Sequence, residues 1–159
     1  MRDFMSVEYV IRLEDPRQDE VIRMLSALDR HLQSLYPPES NHLLDVESLC
    51  APNIRFFVAR RGVDPVGCGA LRVEVGYGEV KRMFVVPEAR AQNVGRAILA
   101  CIEDQAAREG LALMRLETGI HQAAARALYR SGGYAECAPF GEYRPDRLSV
   151  FMEKRLVTR

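Results

Sequence analysis

No stretch of this 159-residue chain approaches the roughly 20 consecutive apolar residues of a membrane span. The opening Met1-Arg2-Asp3-Phe4 has no apolar signal core, which leaves the cytoplasm as the expected compartment. Net charge is also missing: 22 basic side chains balance 22 acidic ones. That balance argues against nonspecific attraction to nucleic acid or to a membrane surface. The four cysteines, Cys50, Cys68, Cys101 and Cys137, form no C-x-x-C pair, and the nearest two stand 18 residues apart. His31, His42 and His121 are scattered as well, so neither a metal site nor a cytoplasmic disulfide is expected. Cys68 and Cys101 lie among apolar neighbours and read as small core residues. There is no repeat, linker or low-complexity tract.

Apolar residues make up 48% of the chain and charged residues 28%, the balance of a soluble globular protein. A chain of this length buries about 70% of its unfolded surface, enough for one domain spanning 1–159. Charge is unevenly divided. Residues 1–80 carry 9 basic and 13 acidic side chains, and residues 81–159 carry 13 and 9. A phosphate-bearing ligand would favour the second half, although the same split arises from solvated surface alone.

Residues 5–13 alternate as a strand does. Asp15-Pro16 reads as a helix start, with Asp15 as N-cap and Gln18 completing a weak capping box. Val21, Leu25, Leu28, Leu32 and Leu35 then recur at helical spacing until Tyr36-Pro37-Pro38. An irregular arm or short helix covers 39–49. Strands are expected over 54–60, 66–75 and 78–86, a helix over 91–109 closed by Gly110, and a buried strand over 111–117. A helix over 122–131 and two short strands, near 134–137 and 148–155, complete the chain.

The most informative stretch is Val85-Val86-Pro87-Glu88-Ala89-Arg90-Ala91-Gln92-Asn93-Val94-Gly95-Arg96-Ala97. A strand ends, a loop turns and a helix begins, so backbone N–H groups at a helix N-terminus are offered to an anion. Gly95 permits close backbone approach, and Arg90 and Arg96 add positive charge. An ordinary strand–helix turn with a packing glycine accounts for the loop equally well.

With these residues in view, the sequence resembles the GNAT superfamily of N-acetyltransferases. That family has Q/R-x-x-G-x-G/A after a strand and a proline. Arg90-Ala91-Gln92-Asn93-Val94-Gly95 sits on this pattern, with Asn93 at the first glycine and Ala91 where a further glycine is usual. Asn tolerates a left-handed backbone better than other non-glycine residues. The family's N-x-x-A-x-x-L-Y-x-x-x-G-F is matched by the run from Gln122 to Tyr134, with Gln122 for the asparagine and Tyr134 for the phenylalanine. The order of elements matches too, so the resemblance covers nearly the whole chain. It implies an α/β fold: a mixed, mostly antiparallel sheet of about seven strands with helices on both faces.

The resemblance also implies acetyl-coenzyme A as co-substrate, with no metal. Its pantetheine arm is expected along Met83, Phe84 and Val85, and its pyrophosphate on the loop Arg90, Ala91, Gln92, Asn93, Val94, Gly95 and Arg96, with Gln122 nearby. Tyr129 is expected to protonate the departing thiolate, and Glu79 to assist deprotonation of an amine acceptor, directly or through water. By alternation Glu79 should share a face with Lys81 and Met83, opposite Val80 and Arg82, unless a bulge intervenes. His42 and His121 are weaker candidates for the same base. The segment Pro139-Phe140-Gly141-Glu142-Tyr143-Arg144 is similar to a P-F-G-x-Y loop of a bacterial subgroup. Phe140, Tyr143 and Arg144, with Arg82 and His42, are expected to line the acceptor pocket. The expected partner is a small-molecule or peptide amine rather than nucleic acid or membrane, for a monomer or homodimer. The function implied is acetyl transfer by direct attack in a ternary complex. The alternative is a non-catalytic coenzyme-A-binding module of the same fold.

Overall fold

The computed structural model describes residues 8–42 and 44–157. The expected strand at 5–13 therefore falls partly outside the described residues, and its observed part is β1, Val10–Leu13. The other strands are β2 (Ile54–Arg61), β3 (Asp64–Glu74), β4 (Tyr77–Val85), β5 (Leu113–Gly119), β6 (Ala135–Cys137) and β7 (Ser149–Arg155). Three helices accompany them: α1 (Asp19–Leu35), α2 (Val94–Arg108) and α3 (Ala123–Ser131). All seven strands join one sheet in the order β1-β2-β3-β4-β5-β7-β6, antiparallel except between β4 and β5.

Helices cover both faces. Val21, Leu25, Leu28 and Leu32 of α1 pack on Phe56, Val58, Cys68, Ala70 and Phe84. Val94, Ile98, Ile102 and Ala106 of α2 pack on the opposite face, against Phe57, Leu71, Val80 and Met114. Each helix buries a stripe at 3–4 spacing, which is the pattern its sequence carries.

Helix starts differ from expectation for local reasons. α1 begins at Asp19, not at Pro16, because the Asp15 carboxylate accepts the Arg17 N–H at 2.9 Å and forms a turn of its own. Gln18 is the N-cap but makes no side-chain cap; its amide donates back to Glu14 and to the Asp15 carbonyl. α2 begins at Val94 rather than Ala91, since Ala91 and Asn93 both take left-handed backbone, φ 65° and 61°. Among the described residues of the arm at 39–49 there are two short 3₁₀ turns, Pro38–Ser40 and Ser48–Cys50, and no longer helix.

Two departures in the sheet create the site. The parallel pairing of β4 with β5 spans only Gly78–Val80 against Met114–Leu116. Beyond it the strands diverge, leaving the β5-facing edge of Lys81–Val85 unpaired with β5. In addition, β4 carries one residue more than β3 between the pairs Ala70–Lys81 and Cys68–Phe84, with Arg82 left-handed at φ 56°. This bulge overturns the simple alternation. Arg82 joins Glu79 and Lys81 on the α1 face, where it meets Asp29, while Met83 turns to the α2 face beside Ile98 and Ile102.

Candidate active site

Three adjoining spaces follow β4, the first two along its unpaired end. The first is a groove of about 480 Å³ between the end of β4, the α2 N-terminus and α3. It is lined by Met83, Phe84, Val85, Arg90, Ala91, Asn93, Val94, Gly95, Arg96, Gln122 and Tyr129, so ten of the eleven residues expected to hold the co-substrate line one surface. Gln92 does not line it; its side-chain oxygen accepts a hydrogen bond from Arg61. His31, from α1, Ala89, ahead of the loop, and Ala123, Ala124, Ala125 and Leu128, from α3, also line it, and no local sequence signal marks them.

The groove fits a pyrophosphate at one end. Asn93 makes no side-chain cap to α2, so the first N–H groups of the helix are not consumed by one. Arg90 and Arg96 are exposed there. Arg90 is steadied by donating to the Val85 carbonyl at 3.1 Å, and Arg96 by donating to Ser131 Oγ at 2.6 Å. Gly95 brings α2 against α3: a Cβ on it would lie 3.3 Å from Leu128 and 3.6 Å from Val85. Its lack of a side chain therefore serves helix packing as well as keeping the groove wall open.

Tyr129, Gln122 and Met83 also border a second, smaller chamber of about 90 Å³. Tyr129 is 5% exposed, its ring edge-on to Tyr134 at 5.9 Å. Burial alone pushes its hydroxyl pKa up, so the phenol keeps its proton at neutral pH. Behind it, Tyr134 donates to Glu103 at 2.8 Å, and Lys154 donates to the same carboxylate at 2.9 Å. The Gln122 amide oxygen accepts the Gly119 N–H at 3.0 Å, holding the turn before α3.

Across the chamber stand His42 and Glu117. The His42 Nδ1 and a Glu117 carboxylate oxygen are 2.6 Å apart, and Ser149 Oγ donates to that same oxygen at 2.9 Å. Burial raises the Glu117 pKa, against the opposing pull of His42, Ser149 and Lys81. Glu117 is the first β5 residue past the pairing with β4, a position no local sequence signal marks.

His42 and Lys81 are shared with a third, outer space of about 730 Å³, which Glu79, Tyr143 and Arg144 also line. The structure thus puts Glu79 in a different space from Tyr129. Glu79 is 3% exposed, and Tyr143 donates to it at 2.5 Å. Lys81 Nζ donates to the Tyr143 hydroxyl at 2.7 Å and to the His42 carbonyl at 3.1 Å, and lies 3.5 Å from Glu79. Burial, then the Glu79 charge, raises the Tyr143 pKa. Arg82 borders the small chamber, with its guanidinium held at 2.5 Å by Asp29. Phe140 is 6% exposed and lies in an aromatic cluster with Tyr77, Tyr143 and Phe151, behind the wall rather than on it. His121 stacks on Tyr36 at 5.6 Å and lines the long groove, not the small chamber. Among the described residues, no three His, Cys, Asp or Glu side chains group as metal ligands, and no helix is long and apolar enough to cross a membrane.

The chain is similar to known proteins in sequence and in fold. The profile of the acetyltransferase (GNAT) domain matches residues 52–136. The chain is 55% identical over 148 residues to the IAA acetyltransferase of Azospirillum brasilense, covering 92% of this chain and 97% of that one. Among solved structures, an acyl-CoA N-acyltransferase from Klebsiella pneumoniae superposes with TM-score 0.80 at 36% identity, over 95% of this chain and 99% of that one. The PaiA N-acetyltransferase of Thermoplasma acidophilum, solved with coenzyme A, superposes with TM-score 0.73 at 16% identity, over 94% and 99% of the two chains; that likeness is one of fold.

Proposed function

The chain belongs to the GNAT acetyltransferase family, whose members move an acyl group from an acyl-coenzyme A to an amine, and from that premise we propose acetyl-coenzyme A as donor and a primary amine of a small molecule or peptide as acceptor. The observation that carries this reading is the single groove shared by the α2 N-terminus, the unpaired end of β4 and Tyr129. When bound, acetyl-coenzyme A supplies a thioester-activated acyl carbon.

In this reading the N–H groups from about Gln92 to Arg96 bind the pyrophosphate, with Arg90 and Arg96 adding charge. The free edge of β4 at Met83–Val85 pairs with amide groups of the pantetheine arm, as an added strand would. Tyr129 holds a proton for the departing sulfur. The acceptor nitrogen attacks the acyl carbon directly: the C–N bond forms, the C–S bond breaks, sulfur leaves with its electron pair and takes the phenolic proton. The attacking nitrogen sheds a proton to solvent and the phenol regains its own. Direct attack is also favoured by the cysteines. None lines the groove or the small chamber, and Cys68, fully buried, has its thiol pushed up to about 12, far from a thiolate carrier.

The test has two stages. Acetyl-coenzyme A should raise the melting temperature and give a calorimetric binding heat. A screen of amino acids, polyamines, aminoglycosides and peptides, followed by free-thiol release, should then yield an acceptor. Binding without thiol release for any amine would overturn the transfer reaction and leave a coenzyme-A-binding module.

A further inference from the structure

We infer that His42, oriented by Glu117, is the group that takes the proton from the acceptor amine; this rests on the acetyl-transfer reading above. The starting point is which groups share a space with Tyr129. His42 and Glu117 border the small chamber with it, whereas Glu79 does not. Glu79 is moreover engaged by the Tyr143 hydroxyl and next to the Lys81 ammonium. His42 has one ring nitrogen committed, Nδ1 to Glu117 at 2.6 Å, and no hydrogen bond to the other among the described residues.

A carboxylate on Nδ1 fixes the tautomer that leaves Nε2 free to accept, and it stabilises the imidazolium formed afterwards. Glu117 is thus a positioning residue and His42 the catalytic one. The ring is further fixed edge-on to Tyr143 at 5.2 Å, and the His42 carbonyl is tied to Lys81. The His42 side chain is 34% exposed and sits between the small chamber and the outer space, so a proton can leave for solvent after each turnover.

The proton balance is simple. An alkylammonium gives one proton to Nε2 and becomes the free amine that attacks; His42 leaves the step as imidazolium and returns that proton to water. Charged and titratable groups that share a space with His42 include Glu117 on β5, Lys81, Arg82 and Glu79 on β4, Tyr36 after α1, Tyr129 on α3, Glu142, Tyr143, Arg144 and Asp146 in the β6–β7 loop, and Glu39 in its own arm. An alkyl ammonium resembles lysine, with a pKa of about 10.4, so nearly all of the acceptor needs such help at neutral pH.

The test compares wild type, His42→Ala, His42→Asn and Glu117→Gln, each checked for an unchanged melting temperature. The probe amine is n-propylamine, slim enough for the chamber, together with the amine ranked first in the screen. At pH 7 both His42 variants should lose turnover by roughly 10²–10³, with the deficit shrinking as pH rises and free amine accumulates. Added imidazole should restore part of the His42→Ala rate. Independently of turnover, proton NMR of the free protein should show a downfield Nδ1–H resonance that disappears in His42→Asn and Glu117→Gln. Wild-type turnover with a His42→Ala profile superimposable on it would overturn the inference alone, as would imidazole-insensitive loss or absence of the NMR resonance. Absence of thiol release by wild type with every amine would instead overturn the transfer reading itself, and the base assignment with it.

Discussion

The Tyr143 hydroxyl donates to the Glu79 carboxylate at 2.5 Å while accepting from Lys81 at 2.7 Å, so the loop between β6 and β7 is fastened to β4 by one phenolic oxygen. Both β4 groups are buried, and losing that oxygen takes one hydrogen bond from each, leaving Glu79 only the Lys81 ammonium at 3.5 Å and Lys81 the His42 carbonyl. Tyr143→Phe should therefore destabilise the fold by about 1–3 kcal/mol, measured by urea unfolding. Glu79→Gln should lower the melting temperature yet leave the pH–rate profile in place. A deficit greatest at low pH and relieved at high pH would instead put Glu79 in the proton path.

Ala91 and Asn93 both hold left-handed backbone immediately before α2. For Ala this costs roughly 1–2 kcal/mol, against about 0.4–1 kcal/mol that an added glycine loses through the unfolded state. Ala91→Gly should accordingly be neutral to stabilising by up to about 1.6 kcal/mol in denaturant unfolding. Asn93→Gly should keep acetyl-coenzyme A affinity within a few-fold by calorimetry, whereas Asn93→Val should lose it, since a β-branched residue resists positive φ. Equal affinities for the two Asn93 variants would show that the loop does not depend on this backbone.

The same pair shows how far the sequence could be read. Asn93 in a glycine position announced the left-handed turn, and the observed φ of 61° agrees with it. Strand and helix order came from periodicity, and each main element is found within a few residues of its expected span. What escaped is non-local. The bulge at Arg82 depends on the register of β4 against β3, which no alternation within β4 reveals. The His42–Glu117 contact spans 75 residues and joins an irregular arm to a strand interior. Asp15 misled because its side chain serves a turn at residue 17 as readily as a helix cap.

Gly119 ends β5 directly beneath the Tyr36 ring. A Cβ there would stand 1.8 Å from the Tyr36 oxygen and 2.2 Å from Cζ. The Tyr36 hydroxyl in turn accepts the His121 N–H at 3.0 Å, tying the end of α1 to the turn before α3. Gly119→Ala should cost about 1–3 kcal/mol by overpacking and should weaken acetyl-coenzyme A binding, because both His121 and Gln122 line the groove. Combining it with Tyr36→Ala should cost less than the sum of the single changes. Strict additivity in urea unfolding would mean that the two side chains do not compete for this space.

Gly95→Val acts on two surfaces at once, and its two effects can be separated. The added side chain faces Leu128 and Val85, so some stability is lost, while the groove wall shifts with it. Calorimetry should show acetyl-coenzyme A binding lost in Gly95→Val. Pairing it with Leu128→Ala, which frees space on α3, should recover part of the melting temperature. Full recovery of affinity in that pair would assign the defect to helix packing rather than to contact with the ligand.

Tyr129 carries the most exacting prediction, because its chemistry and its burial can be measured apart. Tyr129→Phe keeps the ring and its contact with Tyr134 and removes only the proton that the leaving sulfur needs. Turnover should fall by roughly 10²–10⁴ with acetyl-coenzyme A affinity little changed. Burial raises the folded-state pKa of Tyr129 above the unfolded value of about 10. The folded chain therefore keeps a proton that the unfolded chain releases. The stability this represents is complete below about pH 10 and is lost as pH climbs from there through the raised folded value. Tyr129→Phe should unfold with wild-type free energy near pH 7 and resist alkali better than wild type above pH 10. Between pH 7 and 10 the wild-type rate should show no falling limb from this phenol, since it stays protonated throughout. An unchanged turnover, under conditions where chemistry limits the rate, would remove Tyr129 from the reaction while leaving the alkaline effect intact, because that effect requires only that the ring be buried.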